Sequence, residues 1–179
     1  MKPIFFLPFL LACTLSISQA QEITEIEALP NEIVEIEGNL SEGNFMSTLA
    51  WAWNSSVACF PETQKTKFTG HHVLYQTQLP RYSEMVIKVI PKDPKANFSL
   101  YAYEIGTTNE AIVPELTQCV RCEVDHKWDY ARRGQTQDHT RTVTDILAIN
   151  NPYKVIIGVV GAEGLTEGAY TLEISLKSR

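Results

Sequence analysis

Apolar and polar residues alternate along much of this chain, and that period of two limits the folds open to it. The clearest example lies near the C-terminus, where every second residue is apolar: Tyr170, Leu172, Ile174 and Leu176. Successive side chains of a β-strand point to opposite faces, so this pattern puts all four on one face. It predicts a strand with one face buried and the other in water.

Comparable patterns recur along the chain. They lie at residues 73–79, 85–90, 98–105, 140–149 and 153–160, with two weaker candidates at 33–37 and 49–53. The segment 153–160 is apolar on both faces and is expected to be buried on both. We therefore predict an all-β fold, an antiparallel β-sandwich of about seven or eight strands. Turn residues at 161–168 predict a hairpin between the last two strands.

The first twenty residues have the order of a secretory signal. Lys2 supplies a positive charge, residues 4–17 are mostly apolar, and Ser18 and Ala20 place small residues before a cleavage site. The run is short for a bilayer, which takes about 20 apolar residues. We expect residues 1–20 to be removed and the protein to be secreted or periplasmic, with no transmembrane segment in the mature chain. The alternative is a lipobox ending at Cys13, which would leave a lipid-anchored protein.

Charge narrows the possible partners. The chain has 15 Lys+Arg against 21 Asp+Glu, a net charge of −6, which argues against nucleic acid. Residues 22–64 carry eight acidic residues and no lysine or arginine. This segment is either a solvated acidic face or a surface for a cation or a basic partner. We expect an acidic lead at 21–32 and a single β-sandwich domain at 33–178.

A polar insert at 114–141 lacks strand periodicity. A loop that long in a compact domain is often functional or else disordered. Loops on a rigid sandwich commonly carry binding, so we expect the insert and the strand edges to form the contact surface.

Three cysteines stay in the chain after cleavage: Cys59, Cys119 and Cys122. An exported protein lies in a disulfide-forming compartment, which favours a bond between Cys119 and Cys122 or between Cys59 and one of them. The alternative is a zinc site whose ligands would be Cys119, Cys122, His126 and His139. Their spacing differs from that of the usual zinc finger, so we expect no metal and no cofactor.

Four aromatic residues are candidate ligand contacts: Trp51, Trp53, Trp128 and Tyr130. The two at strand spacing, Trp51 and Trp53, share a face and are expected in the core, while the two in the polar insert are expected to be exposed. Together they could form a platform for a sugar. His71 and His72 should point to opposite faces, one exposed and one half-buried, with no metal role.

Several segments together resemble a known family. They are residues 71–80, a strand ending in Leu-Pro; 83–90, an apolar strand; 97–105, with a Leu-Tyr-x-Tyr sequence; and 150–159 with 168–174. This plan resembles the bacterial pre-peptidase C-terminal domain, a jelly-roll-like β-sandwich appended to secreted proteases and other exported enzymes. The resemblance spans about residues 33–178. An aspartate that often precedes the Leu-Tyr strand in that family is absent here, and the insert at 114–141 is unusual.

The resemblance implies an accessory role, such as surface attachment, substrate or glycan contact, or help with export, and brings no catalytic residues. No G-x-S-x-G, H-E-x-x-H or P-loop sequence occurs. We therefore expect a non-enzymatic secreted binding module that contacts a protein or a cell-surface glycan. Two alternatives stay open. One is a secreted metal-binding protein or metal-dependent enzyme that uses the cysteines and histidines of 119–139, and the other is a structural component of the cell envelope.

Overall fold

A computed structural model describes residues 22–48, 64–113, 115–116, 121–124 and 139–178. Within these residues there are ten strands: β1 Ile23–Glu25, β2 Ile33–Asn39, β3 Asn44–Met46, β4 Gly70–Leu79, β5 Ser83–Pro91, β6 Phe98–Gly106, β7 Arg121–Glu123, β8 Arg141–Ala148, β9 Tyr153–Gly161 and β10 Ala169–Ser178. One α-helical turn, α1 Lys65–Phe68, precedes β4, and two 3-10 turns lie at Leu40–Glu42 and Ala162–Gly164.

The strands form two sheets. The larger has the order β1-β4-β9-β6-β7, with β3 also paired to β4, and the smaller has the order β2-β10-β5-β8. Every paired strand is antiparallel to its neighbour except β1, which runs parallel to β4. The predicted all-β, jelly-roll-like antiparallel sandwich is confirmed.

The main core lies between the sheets and is built by the alternating positions. It includes Leu172, Ile174 and Leu176 from β10, Met85, Ile87 and Val89 from β5, and Val155, Ile157 and Val159 from β9, all essentially buried. Removing such apolar area from water contributes about 25 cal/mol per Å². The period of two is therefore the direct cause of the sandwich.

A second apolar cluster covers the outer face of the six-stranded sheet. It contains Phe68 from α1, Leu74, Tyr101 and Ile156 from the sheet, and Leu116 from the insert. The strand β9 is thus buried on both faces, as its sequence predicts. The insert lacks strand periodicity in its sequence, yet its residues Arg121–Glu123 form the short strand β7 and pair with β6.

The predicted hairpin at 161–168 is wrong. The strand β9 pairs with β4 and β6, whereas β10 pairs with β2 and β5, so the segment crosses from one sheet to the other. Both edges of each strand are already occupied, which leaves no edge for the two to pair. The weak candidate at 33–37 is confirmed as β2, and that at 49–53 lies outside the described residues.

Within the described part of the chain, no helix is long and apolar enough to cross a membrane. The signal segment 1–20, with Cys13, lies outside the described residues.

Candidate binding groove and acidic cleft

A groove lies at one end of the sandwich, beside the crossing from β9 to β10. We call it the end groove; its volume is about 480 Å³. Its lining comes from β3, α1, the start of β4 and the crossing: Phe45, Ser47, Thr66, Thr69, Gly70, Glu163, Gly164, Leu165 and Thr166. This volume is within the usual range of small-molecule sites, about 300–1,000 Å³.

The side chain of Phe45 is the main apolar surface of the groove. It is 66% exposed, although large apolar side chains of this domain are mostly buried. Phe45 lies opposite His71 in the β3–β4 ladder, and the two rings meet edge to face with centroids 5.9 Å apart. The imidazole thus packs against one side of the phenyl ring, and much of the rest of the ring is exposed to solvent.

Hydroxyl groups line the rest of the groove. The side chains of Ser47, Thr66 and Thr166 are exposed and make no side-chain hydrogen bond within the described residues. Thr69 differs, since its Oγ1 donates to the carbonyl of Lys65 at 3.2 Å. Three hydroxyls therefore remain able to donate and to accept at once.

The far wall of the groove is fixed by an ion pair and by an unusual backbone. Glu163 has φ 54° and ψ 34°, the left-handed region that few non-glycine residues adopt. Its carboxylate accepts from Nζ of Lys67, which joins the α1 turn to the crossing segment. This contact sets the distance between the threonines of α1 and the residues of the crossing.

A second depression adjoins the end groove and shares Leu165 with it. Its volume is about 520 Å³, and it is lined by Asn39, Asp93, Lys95, Ala96, Leu165, Glu167 and Gly168. The two depressions therefore lie on either side of one half-buried leucine, and an extended ligand could contact both.

A different cavity opens along one side of the sandwich, between the edge strand β2 and the strands β1 and β3. We call it the acidic cleft; its volume is about 360 Å³. It is lined by Glu22, Thr24, Ile36, Glu37, Glu42, Gly43, Asn44, His72, Val73, Leu74 and Tyr75. The ladder of β4 explains the opening, because β3 pairs as far as His72 and β1 begins at Leu74, so neither covers Val73.

The three glutamates of the cleft are exposed, and one of them is ion-paired. Nζ of Lys92 donates to Oε1 of Glu37 at 2.8 Å, and Oγ1 of Thr171 donates to the same atom at 3.0 Å. These hydrogen bonds lower the pKa of Glu37, so its carboxylate stays charged. The cleft is therefore negative at neutral pH.

Most of the site residues expected from the sequence lie outside the part of the chain that the structure describes. Seven of them lie outside the described residues: Trp51, Trp53, Trp128, Tyr130, Cys59, Cys119 and His126. Cys122 is half-buried on β7 opposite Tyr101. His139 is half-buried, and its Nδ1 lies 3.2 Å from Nη2 of Arg141, which can only donate. Among the described residues, no group of three or more His, Cys, Asp or Glu could hold a metal ion.

The expectation for the two adjacent histidines is half right. They do point to opposite faces, but His72 is fully buried rather than half-buried, and His71 is half-buried rather than exposed. Nε2 of His72 lies 2.8 Å from the carbonyl of Phe68, and Nδ1 lies 3.1 Å from the hydroxyl of Tyr101. The carbonyl can only accept, so Nε2 carries the proton and Nδ1 accepts from Tyr101.

The end groove could not be predicted from the sequence. Phe45 lies in a three-residue strand, which is too short to show alternation, and its hydroxyl neighbours come from three separate segments. The acidic cleft had one signal, the run of acidic residues without lysine or arginine that begins at Glu22.

No family model and no curated protein matches this chain. Solved structures similar to it include the pre-peptidase C-terminal domain of a Bacillus anthracis collagenase, at 11% identity and a TM-score of 0.42, covering 89% of this chain and 98% of that one. This domain is of the family that the sequence resembles. Another is the periplasmic inhibitor of g-type lysozyme from Aeromonas hydrophila, at 10% identity and a TM-score of 0.43, covering 87% of this chain and 98% of that one. A third is a surface-associated copper-binding protein of Methylomicrobium album, at 11% identity and a TM-score of 0.44, covering 88% of this chain and 98% of that one.

Proposed function

We propose that this protein is an exported, non-enzymatic binding module that contacts a cell-surface glycan through the end groove. The observation that carries the proposal is the exposed ring of Phe45 beside three hydroxyl groups that make no side-chain hydrogen bond to any described residue. A protein ligand is the alternative for the same groove.

The chemistry of the groove fits a sugar. A sugar ring offers a face of C–H groups, and the negative face of a phenyl ring attracts them. Its edge carries hydroxyls that both donate and accept, which matches the serine and threonine side chains.

The length of the site favours a chain of sugars over a single one. The end groove and the depression beyond Leu165 adjoin each other, since Leu165 lines both. Asp93, Lys95 and Glu167 in that depression add charged donors and acceptors for further hydroxyls. We expect affinity to rise with oligosaccharide length until both depressions are filled.

Binding to an array of immobilised bacterial surface oligosaccharides tests the proposal. Phe45→Ala should weaken the retained interaction about tenfold or more, since stacking and apolar burial are lost. Tyr82→Ala is the matched control, because Tyr82 is also an exposed aromatic, at 51%, but does not line the groove. The proposal fails if no oligosaccharide is retained, or if both substitutions weaken binding equally.

We infer two further properties that belong to an exported module. Residues 1–20 act as the signal, and Cys122 forms a disulfide with Cys59 or Cys119. Either bond would fasten a segment to β7, at the edge of the six-stranded sheet. A bond to Cys59 would close a loop of about 60 residues and stabilise the fold by about 4 kcal/mol in the chain-entropy model.

A further inference from the structure

The strand β2 lies at an edge of the four-stranded sheet. It pairs with β10 over seven consecutive residues, from Ile33 opposite Ser175 to Asn39 opposite Ala169. Within the described residues no strand lies on its other side. An edge strand presents a row of unpaired N–H and C=O groups that can pair with another chain.

Most common devices that block such an edge are missing from β2. Proteins protect edges with charged side chains, especially lysine, and with proline, a bulge or a very short strand. The segment Ile33–Asn39 contains neither lysine nor proline, its register is continuous, and it is seven residues long. Its exposed side chains are instead Ile33, Glu35 and Glu37, which share the outer face of the sheet.

The charge along this edge is of one sign and mostly uncompensated. Residues 22–48 carry seven glutamates and no lysine or arginine. Only Glu37 forms an ion pair within the described part of the chain, with Lys92. Glu35 lies opposite Glu173 in the ladder, whose own charge is paired with Lys88 at 2.7 Å. Among the described residues, no cation is therefore paired with the carboxylate of Glu35.

We propose that β2 binds an extended, lysine- or arginine-rich segment of a partner protein as a fifth strand of the four-stranded sheet. The partner's backbone pairs with the free edge, and basic side chains at alternate positions face Glu35 and Glu37. Side chains directly opposite across a ladder lie about 4.5–5.5 Å apart, so each glutamate meets one cation.

The acidic cleft extends this surface. It borders β2 through Ile36 and Glu37, and its opposite rim carries Glu22 and Glu42. Its volume of about 360 Å³ accommodates one lysine or arginine side chain from the end of the added strand. The cleft thus gives the basic segment a preferred register.

The same charges exclude other occupants of this edge. Two copies of this chain that paired through β2 would bring glutamates against glutamates, which is destabilising across a ladder. Nucleic acid and anionic lipid surfaces are repelled for the same reason. The proposal is independent of the end groove, which lies on other elements; β2 contributes only its last residue, Asn39, to the adjoining depression.

The probe is a capped decapeptide of alternating lysine and valine, and its binding to the full mature protein is followed by fluorescence anisotropy. Glu35→Lys should weaken binding about tenfold, because a cation then faces a cation. Glu115→Lys is the matched control, since Glu115 is exposed, carries the same charge and lies outside the edge and the cleft. Melting curves of both variants confirm that each is folded.

Two N-methylated forms of the peptide separate strand addition from simple ion pairing. Alternate residues of an added strand direct their N–H groups toward the edge. One peptide is methylated on the lysine amides and the other on the valine amides, and only one of the two should lose binding. The proposal is overturned if the unmethylated peptide does not bind, if both methylated forms bind like the parent, or if Glu35→Lys behaves like Glu115→Lys.

Discussion

The hydroxyl groups of Tyr75 on β4 and Tyr170 on β10 lie 2.8 Å apart and form a hydrogen bond that joins the two sheets through the core. Tyr75 is 3% exposed and Tyr170 is fully buried. Burial raises the pKa of both hydroxyls, so the pair stays neutral at any physiological pH. Each hydroxyl depends on the other, because neither makes another side-chain hydrogen bond within the described residues.

This dependence predicts a strongly non-additive pair of substitutions. Tyr75→Phe leaves the hydroxyl of Tyr170 buried without its partner, and Tyr170→Phe does the same to Tyr75. Each single change should cost about 1–3 kcal/mol of unfolding free energy. The double change removes both polar groups and should cost less than the sum of the two. Urea unfolding of the four proteins measures the coupling, and additive effects would show that the two hydroxyls do not share a bond.

Two glycines are predicted to be required because aromatic rings occupy the space of a side chain. A Cβ on Gly38 would lie 2.7 Å from the ring of Tyr170, and a Cβ on Gly158 would overlap the ring of Tyr101. Gly38→Ala and Gly158→Ala should each cost about 2 kcal/mol or more, as overpacking displaces rings that are fixed. Gly106→Ala is the control, since nothing lies within 4 Å of its Cβ position. Chemical denaturation should separate the three, with Gly106→Ala within about 0.5 kcal/mol of wild type.

The fold could be predicted from the sequence wherever a strand is long enough to show its alternation. Strands of seven residues or more, such as β10 at Ala169–Ser178, were predicted, whereas the three-residue strands β1, β3 and β7 were not. The crossing at 161–168 has the glycines of a hairpin, but its path depends on which strands pair with β9 and with β10. Pairing between strands that are distant in sequence is a tertiary property, so local turn chemistry could not reveal it.

The candidate sites were less accessible to sequence reasoning. Tryptophans are the obvious aromatic candidates in the sequence, and nothing in it singles out Phe45. The exposure of Phe45 follows from its place on a short edge strand. The acidic run that begins at Glu22 is visible in the sequence. Its proposed role in binding depends on β2 being a sheet edge, which only the topology shows. A binding surface assembled from separate segments leaves no continuous motif.

Intact mass of the exported protein tests the processing and the cysteine assignment together. We expect a mature chain that begins at Gln21 and gains two hydrogen atoms on reduction, from one disulfide that includes Cys122. Native conditions should add no metal. One zinc per chain with three reduced thiols would instead support the cluster of Cys119, Cys122, His126 and His139, and a lipid-sized mass on Cys13 would place the protein on a membrane surface.

The buried imidazole of His72 predicts that the fold weakens in mild acid. Burial lowers the pKa of His72 from 6.5 to about 4 in the folded chain, because desolvation disfavours the imidazolium. The unfolded chain therefore binds the proton first as the pH falls. The contribution of His72 to stability is fully present above pH 6.5 and is lost between about pH 6.5 and 4. A difference of this size corresponds to roughly 3 kcal/mol.

Urea unfolding at a series of pH values measures this loss. His72→Gln cannot titrate, and its amide can still donate to the carbonyl of Phe68 or accept from Tyr101. The variant should be less stable than wild type at pH 7 but should lose less stability between pH 6.5 and 4. Thr77→Val is the control, since Thr77 is also buried on β4 but carries no titratable group and should leave the slope unchanged. If wild type and His72→Gln have parallel profiles, His72 binds its proton at the same pH in the folded and unfolded chains, and burial does not lower its pKa.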